Sequence, residues 1–96
     1  MLVGTWEIEI LIYEANSLKD KRHVLKSIIE RIKTRFNVSV SEVDYHELWN
    51  RSMIGIAVVS NSKAMCESVI TKIIDFIDND ERVEIINHSM EVLWWL

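Results

Sequence analysis

Apolar and polar residues alternate along the start of the chain: Trp6, Ile8, Ile10 and Ile12 are apolar, with Glu7 and Glu9 set between them. Period-2 alternation of this kind predicts a strand with one buried face, over Leu2 to Tyr13. The period then lengthens. Ser17 followed by Asp20 resembles a capping box with aspartate in place of glutamate, and Leu18, Val24, Leu25, Ile28, Ile29, Ile32 and Phe36 recur at helical spacing. A helix ending near Arg35 follows. Val38 to Val43 sets valine against polar residues and predicts a second strand, while the charge-free run Met53 to Val59 predicts a buried third. Cys66, Val69, Ile70, Ile73, Ile74 and Ile77 form the apolar stripe of a second helix, and Val83 to about Leu93 predicts a closing strand. With no proline, and with Gly4 and Gly55 both inside strands, the turns fall to Asn16, Asn50, Asn61 and Asn79 with Asp80.

The order βαββαβ contains a weak repeat, since IIERI at Ile28 to Ile32 echoes IIDFI at Ile73 to Ile77 and the same offset carries strand 1 onto strand 3 and strand 2 onto strand 4. Two βαβ halves with right-handed crossovers predict an α+β fold in a single domain over residues 1–96. It is a ferredoxin-like sandwich, a four-stranded antiparallel sheet with strands 1 and 3 central and both helices on one face. Edge polarity agrees: Ser39, Ser41, Glu42 and Asp44 suit one outer strand, Asn87, His88 and Ser89 the other.

The segments SLKDKR (Ser17 to Arg22), FNVSVSEVD (Phe36 to Asp44) and WNRSMIGIAVVS (Trp49 to Ser60) together resemble the YlxP family, a bacterial group of unknown function. The resemblance is carried by motifs over the first sixty residues and by pattern beyond Asn61. It implies a ferredoxin-like fold and a gene often placed beside translation-initiation and ribosome-maturation factors. It implies no catalytic residue.

Charge adds the next distinction. The chain carries a net charge of -4, yet seven of its eleven Lys and Arg lie between Lys19 and Arg35. Outside Ala15 to Asn37 there are four cations and thirteen anions, so the molecule is a strong dipole able to orient an encounter with an anionic partner. With Leu18 at zero and 100° per residue, the apolar arc of helix 1 runs from Val24 at about 240° through Ile32 to Ile29 at about 20°. Arg22, Lys33, Lys26 and Lys19 then fall at about 40°, 60°, 80° and 100°, with Glu30 at about 120° and Arg31 and Arg35 on the other flank.

Such a stripe is the footprint of phosphate contact; its bland alternative is a solvated amphipathic face. The candidate nucleic-acid residues are Lys19, Arg22, Lys26 and Lys33, assisted by Lys21, Arg35 and Arg51, with ribosomal RNA, its precursors or ribosome-associated proteins as partners. Trp49, in the loop YHELWNR, either stacks on a base or anchors a partner, or closes the edge of its own core. The base-stacking mode of RNA-recognition motifs is not expected, because MIGIAVVS has no aromatic residue and strand 1 presents Glu7 and Glu9. A competing reading is a protein-interaction scaffold with no nucleic-acid role.

Strand 3 is uncharged on both faces, so its outer face is apolar whichever parity points inward. Leu11, Tyr13 and the outward member of the Trp94 and Trp95 pair, assigned as Trp95, join it in a predicted homo-oligomer contact, with a dimer favoured. His23, His46 and His88 lack metal-ligand spacing, and Asp44, His46 and Glu47 read as a solvated loop, so no metal is expected. No phosphate-binding loop, dinucleotide fingerprint, nucleophile elbow or zincin motif occurs, so no cofactor is expected and an uncharacterised enzyme, with Ser, His and acidic residues brought together across the chain, stands as the third reading behind the two binding ones. The lone Cys66, the absence of an export signal and the lack of a long apolar run point to a reducing cytoplasm and no membrane span.

Overall fold

The computed structural model describes residues 1–94. Its elements are β1 (Leu2–Ile12), α1 (Leu18–Arg35), β2 (Ser39–Asp44), β3 (Arg51–Ser60), α2 (Lys63–Asp78) and β4 (Val83–Trp94). The strands lie in the order β2-β3-β1-β4, every neighbouring pair antiparallel, with β1 and β3 central as expected.

The first helix starts where a hydroxyl satisfies one of its free amides and a carboxylate of its first turn reaches back to the residue before the cap. Ser17 Oγ accepts the Asp20 amide at 3.1 Å, and Asp20 Oδ2 accepts the Asn16 amide at 3.1 Å, a capping box shifted one residue upstream. Ser62 caps α2 in the same way, accepting the Met65 amide at 3.3 Å.

Parity in β3, which its uncharged sequence leaves open, is set by packing. Ser52, Ile54, Ile56 and Val58 are buried under the helices, and Met53, Gly55, Ala57 and Val59 face away. The main core joins Ile8, Ile10, Ile54 and Ile56 of the sheet to Leu25, Ile28 and Ile32 of α1 and Ile73 and Ile77 of α2. A smaller cluster of Leu2, Val58, Cys66 and Ile70 fills the other end. On the open face Val43 lies across Gly55, where a Cβ would stand 2.6 Å from Val43 Cγ1; this close approach explains a glycine in mid-strand.

The edge strands are interrupted. The β1–β4 register shifts between Glu9 and Ile10, leaving Ile86 as an extra residue, and the β2–β3 register shifts so that Val43 is extra. The left-handed turn residues are Glu14 (φ 58) and Tyr45 (φ 63), not the asparagines that composition favours. Each is held by partners: Asn16 Nδ2 donates to the Glu14 carbonyl at 3.4 Å, the Tyr45 amide donates to Asp44 Oδ1 at 2.7 Å, and a lysine reaches the Tyr45 carbonyl.

Candidate nucleic-acid interface

Four cations of α1 stand on its exposed flank: Lys19, Arg22, Lys26 and Lys33. Of these four, only Lys26 is paired with an acid among the described residues, lying 4.0 Å from Glu30 one turn on, and such an exposed pair holds a cation weakly. Lys19, Arg22 and Lys33 take no part in an ion pair among the described residues. Near the helix end Lys33 shares a shallow groove with Asn37, Ser39 and Val59, so the stripe runs out beside β2.

Lys21 does not join them. At about 300° it falls inside the apolar arc, and the structure buries it to 1% exposure against the sheet. Its ammonium lies 2.9 Å from Glu42 Oε2 and donates to the Tyr45 carbonyl at 2.6 Å. The same Glu42 oxygen accepts the hydroxyl of fully buried Ser52 at 2.6 Å. A buried charge needs a charged and hydrogen-bonded partner, and Glu42 supplies one from the strand next to α1. Lys21 is therefore a structural cation bracing the β2–β3 loop, which corrects its assignment to a binding surface.

Arg51 is likewise displaced from the expected loop. It opens β3 and pairs with Glu9 at 3.4 Å on the open face of the sheet, opposite the helix layer, and so cannot assist the α1 stripe. Trp49 stays in the β2–β3 loop and is 48% exposed, so it does not close its own core. Leu11 and Tyr13 lie at the open-face end of β1, where the Tyr13 hydroxyl donates to Glu84. That hydrogen bond to a carboxylate raises the Tyr13 pKa above the usual phenol range. Trp95 lies outside the described residues.

One cluster was not foreseen. Across α1 from the stripe, Arg31 and Arg35 meet Lys72 and Phe76 of α2 and Arg82 of the following turn in a groove between the helices. The Arg35 guanidinium sits 4.9 Å from the centre of the Phe76 ring, a cation–π contact. Arg82 is committed to its own support: Nη2 lies 2.7 Å from Asp80 Oδ2, Nε donates to Asp80 Oδ1 at 3.0 Å, and Nη2 also donates to Ser27 Oγ at 3.2 Å. The hydrogen bonds from Arg82 hold the Asp80 carboxyl below the usual carboxylate range and raise Arg82 in turn. The helical positions of Arg31 and Lys72 were readable, but that the two helices would face them to each other was not.

Among the described residues no three His, Cys, Asp or Glu side chains are grouped to hold a metal ion, and no helix is long and apolar enough to cross a membrane. Cys66 is buried in the smaller core cluster.

The family described as "Protein of unknown function (DUF503)" matches residues 3–90. The uncharacterized protein YlxP of Bacillus subtilis (strain 168) is 43% identical over 83 residues, covering 86% of this chain and 90% of that protein. Two de novo designed proteins share the fold. One, described as having a ferredoxin fold, superimposes with a TM-score of 0.56 at 16% identity, over 97% of this chain and 84% of its own; the other, Foldit4, does so with a TM-score of 0.56 at 17% identity over the whole of both chains. Designs at this identity speak to the fold alone. By its family match and by its identity to YlxP across most of both sequences, the chain belongs to the YlxP/DUF503 family.

Proposed function

We propose that this protein is a non-catalytic RNA-binding module that docks through Lys19, Arg22, Lys26 and Lys33. The observation that carries this reading is a row of exposed cations on one helix flank, three of them without an acidic partner among the described residues, in a chain of net charge -4. Solubility asks for charge of either sign there; it does not ask for one sign in one arc. The gene neighbourhood implied by the family resemblance favours ribosomal RNA or its precursors as the partner. Binding to a ribosomal RNA fragment should weaken roughly 50- to 150-fold between about 50 and 200 mM salt, as four phosphate contacts require. Changing the four cations to glutamate should remove that dependence together with the affinity. Equal binding by the reversed variant, or none by the unaltered protein at low salt, would refute the reading.

We further propose that a second copy covers the open sheet face. Val3, Leu11, Met53 and Val59 lie on it, Val59 with 66% of its surface exposed, and the register shifts at Val43 and Ile86 break both free edges, which discourages strand addition there. Four strands about 4.8 Å apart and roughly 33 Å long project to about 600 Å², of the order of the ~800 Å² per partner in a stable complex. Glu7 is exposed in the middle of this face and has to be paired or left at a rim. Sedimentation at tens of micromolar should give a dimer that M53E/V59E converts to monomer; a monomeric parent protein would count against it.

A further inference from the structure

We infer that the RNA bound is a double-stranded stem, gripped from both sides of α1, with the groove between the helices supplying the second row of cations. This rests on the RNA-binding reading and goes beyond it by naming the form of RNA. Arg31 and Arg35 leave α1 at about 220° and 260°, and the stripe leaves it at about 40° to 100°, so the two sets stand on opposite sides of a helix roughly 10–12 Å across with its side chains. Lys72 extends the second row from α2. Arg82 is satisfied by Asp80 and Ser27, so it braces the groove; Arg31, Arg35 and Lys72 outnumber the remaining acid of the lining, Glu81, although Arg31 also feels the Asp80 carboxylate. The cation–π contact with Phe76 holds the Arg35 guanidinium without consuming its N–H donors.

Between the two rows runs the outward ridge of α1, where His23, Ser27 and Thr34 fall at about 140° to 180°. The Thr34 hydroxyl donates to the Glu30 carbonyl and keeps its acceptor capacity, and half-buried Ser27 accepts from Arg82 and keeps its own O–H to donate. Glu30 beside them discourages a phosphate on the ridge itself and so favours phosphates at the flanks. Two cationic rows with a hydrogen-bonding ridge between them match two phosphate strands bounding a groove lined with hydroxyls. The minor groove of A-form RNA is wide and shallow and displays its 2′-hydroxyls, whereas the major groove is too deep and narrow to admit side chains to its bases. A single strand has one backbone and would engage one row. The platform that single strands use is also missing, because the open face of β1 and β3 presents Val3, Thr5, Glu7 and Glu9 beside Met53 and Ala57.

The test is fluorescence anisotropy with three probes of one sequence: an RNA hairpin stem of about 16 base pairs, its single strand, and the DNA duplex. The unaltered protein should bind the stem at least tenfold more tightly than either of the others. The R31Q/R35Q/K72Q variant, whose replacements are exposed and leave Arg82 in place, should lose about 0.9 in log–log salt slope for each contact removed on the stem. Equal affinity for stem and single strand, or an unchanged slope in this variant while the stripe variant loses its own, overturns the stem inference and leaves the RNA reading standing. Failure of every probe to bind at low salt overturns both. Circular dichroism of each variant establishes that it is folded.

Discussion

Replacing Glu42 with leucine is expected to destabilise the protein by about 3–5 kcal/mol, the range for a buried charge stripped of its partner. Lys21 is 1% exposed and the Glu42 side chain 16%, so neither has water enough to replace the other. The variant leaves a buried ammonium with the Tyr45 carbonyl as its remaining partner among the described residues, and leaves the buried Ser52 hydroxyl without its acceptor. The double variant K21M/E42L should recover most of the loss, because two apolar side chains of similar volume remove both desolvation penalties together. Urea unfolding of the three proteins measures this directly. If E42L lies within about 1 kcal/mol of the parent, or the double variant is no better than the single one, the pair is not what secures this corner. The double variant should also loosen the β2–β3 loop, since Tyr45 would keep its left-handed backbone without the ammonium on its carbonyl.

A second large effect is expected at Trp6, with an asymmetry between two replacements. Trp6 packs against both core clusters and lies over His88, ring centres 5.4 Å apart and tilted by 31°. Trp6 is partly buried, so truncation to alanine should cost about 3 kcal/mol, the low end of the range for large aromatics. Phenylalanine should cost about 1 kcal/mol or less. It gives up part of the ring contact, but it also removes an indole N–H that is buried and has no partner among the described residues, a burden of about 1–3 kcal/mol. Thermal and denaturant midpoints of the two variants decide the matter: near-equal losses would mean that the N–H is satisfied in solution.

The fold was readable because each element carries its own period. Glu7 and Glu9 between isoleucines mark β1, and the spacing from Leu25 through Ile28 to Ile32 marks α1, with Ser17 as its cap. What could not be read was parity where a strand is apolar throughout, as in β3, because no polar residue tells one face from the other until α1 and α2 pack. At the candidate site the stripe follows from helical angles alone, whereas charge type alone groups Lys21 with it although its angle does not. Two signals pointed inward: its position inside the apolar arc, and Glu42 in step with buried Val40 on β2. Arg51 was misplaced for a different reason, because β3 begins two residues earlier than its apolar run and carries the arginine onto the face opposite the helices. The interhelical groove depends on the relative rotation of two helices, which no local pattern encodes.

The two register shifts bear on how this chain can drift in length over evolution. Beyond Ile86, β4 resumes with Asn87 opposite Glu9 and His88 opposite Ile8, and beyond Val43, Asp44 resumes opposite Met53. Losing either extra residue closes the ladder and leaves every other side chain of that strand on its present face. Losing one from the regular ladder turns the remainder of the strand over, sending core residues to solvent and solvent residues to the core. Single-residue deletions in the edge strands can thus accumulate at Val43 and Ile86, while selection removes them from the regular stretches on either side.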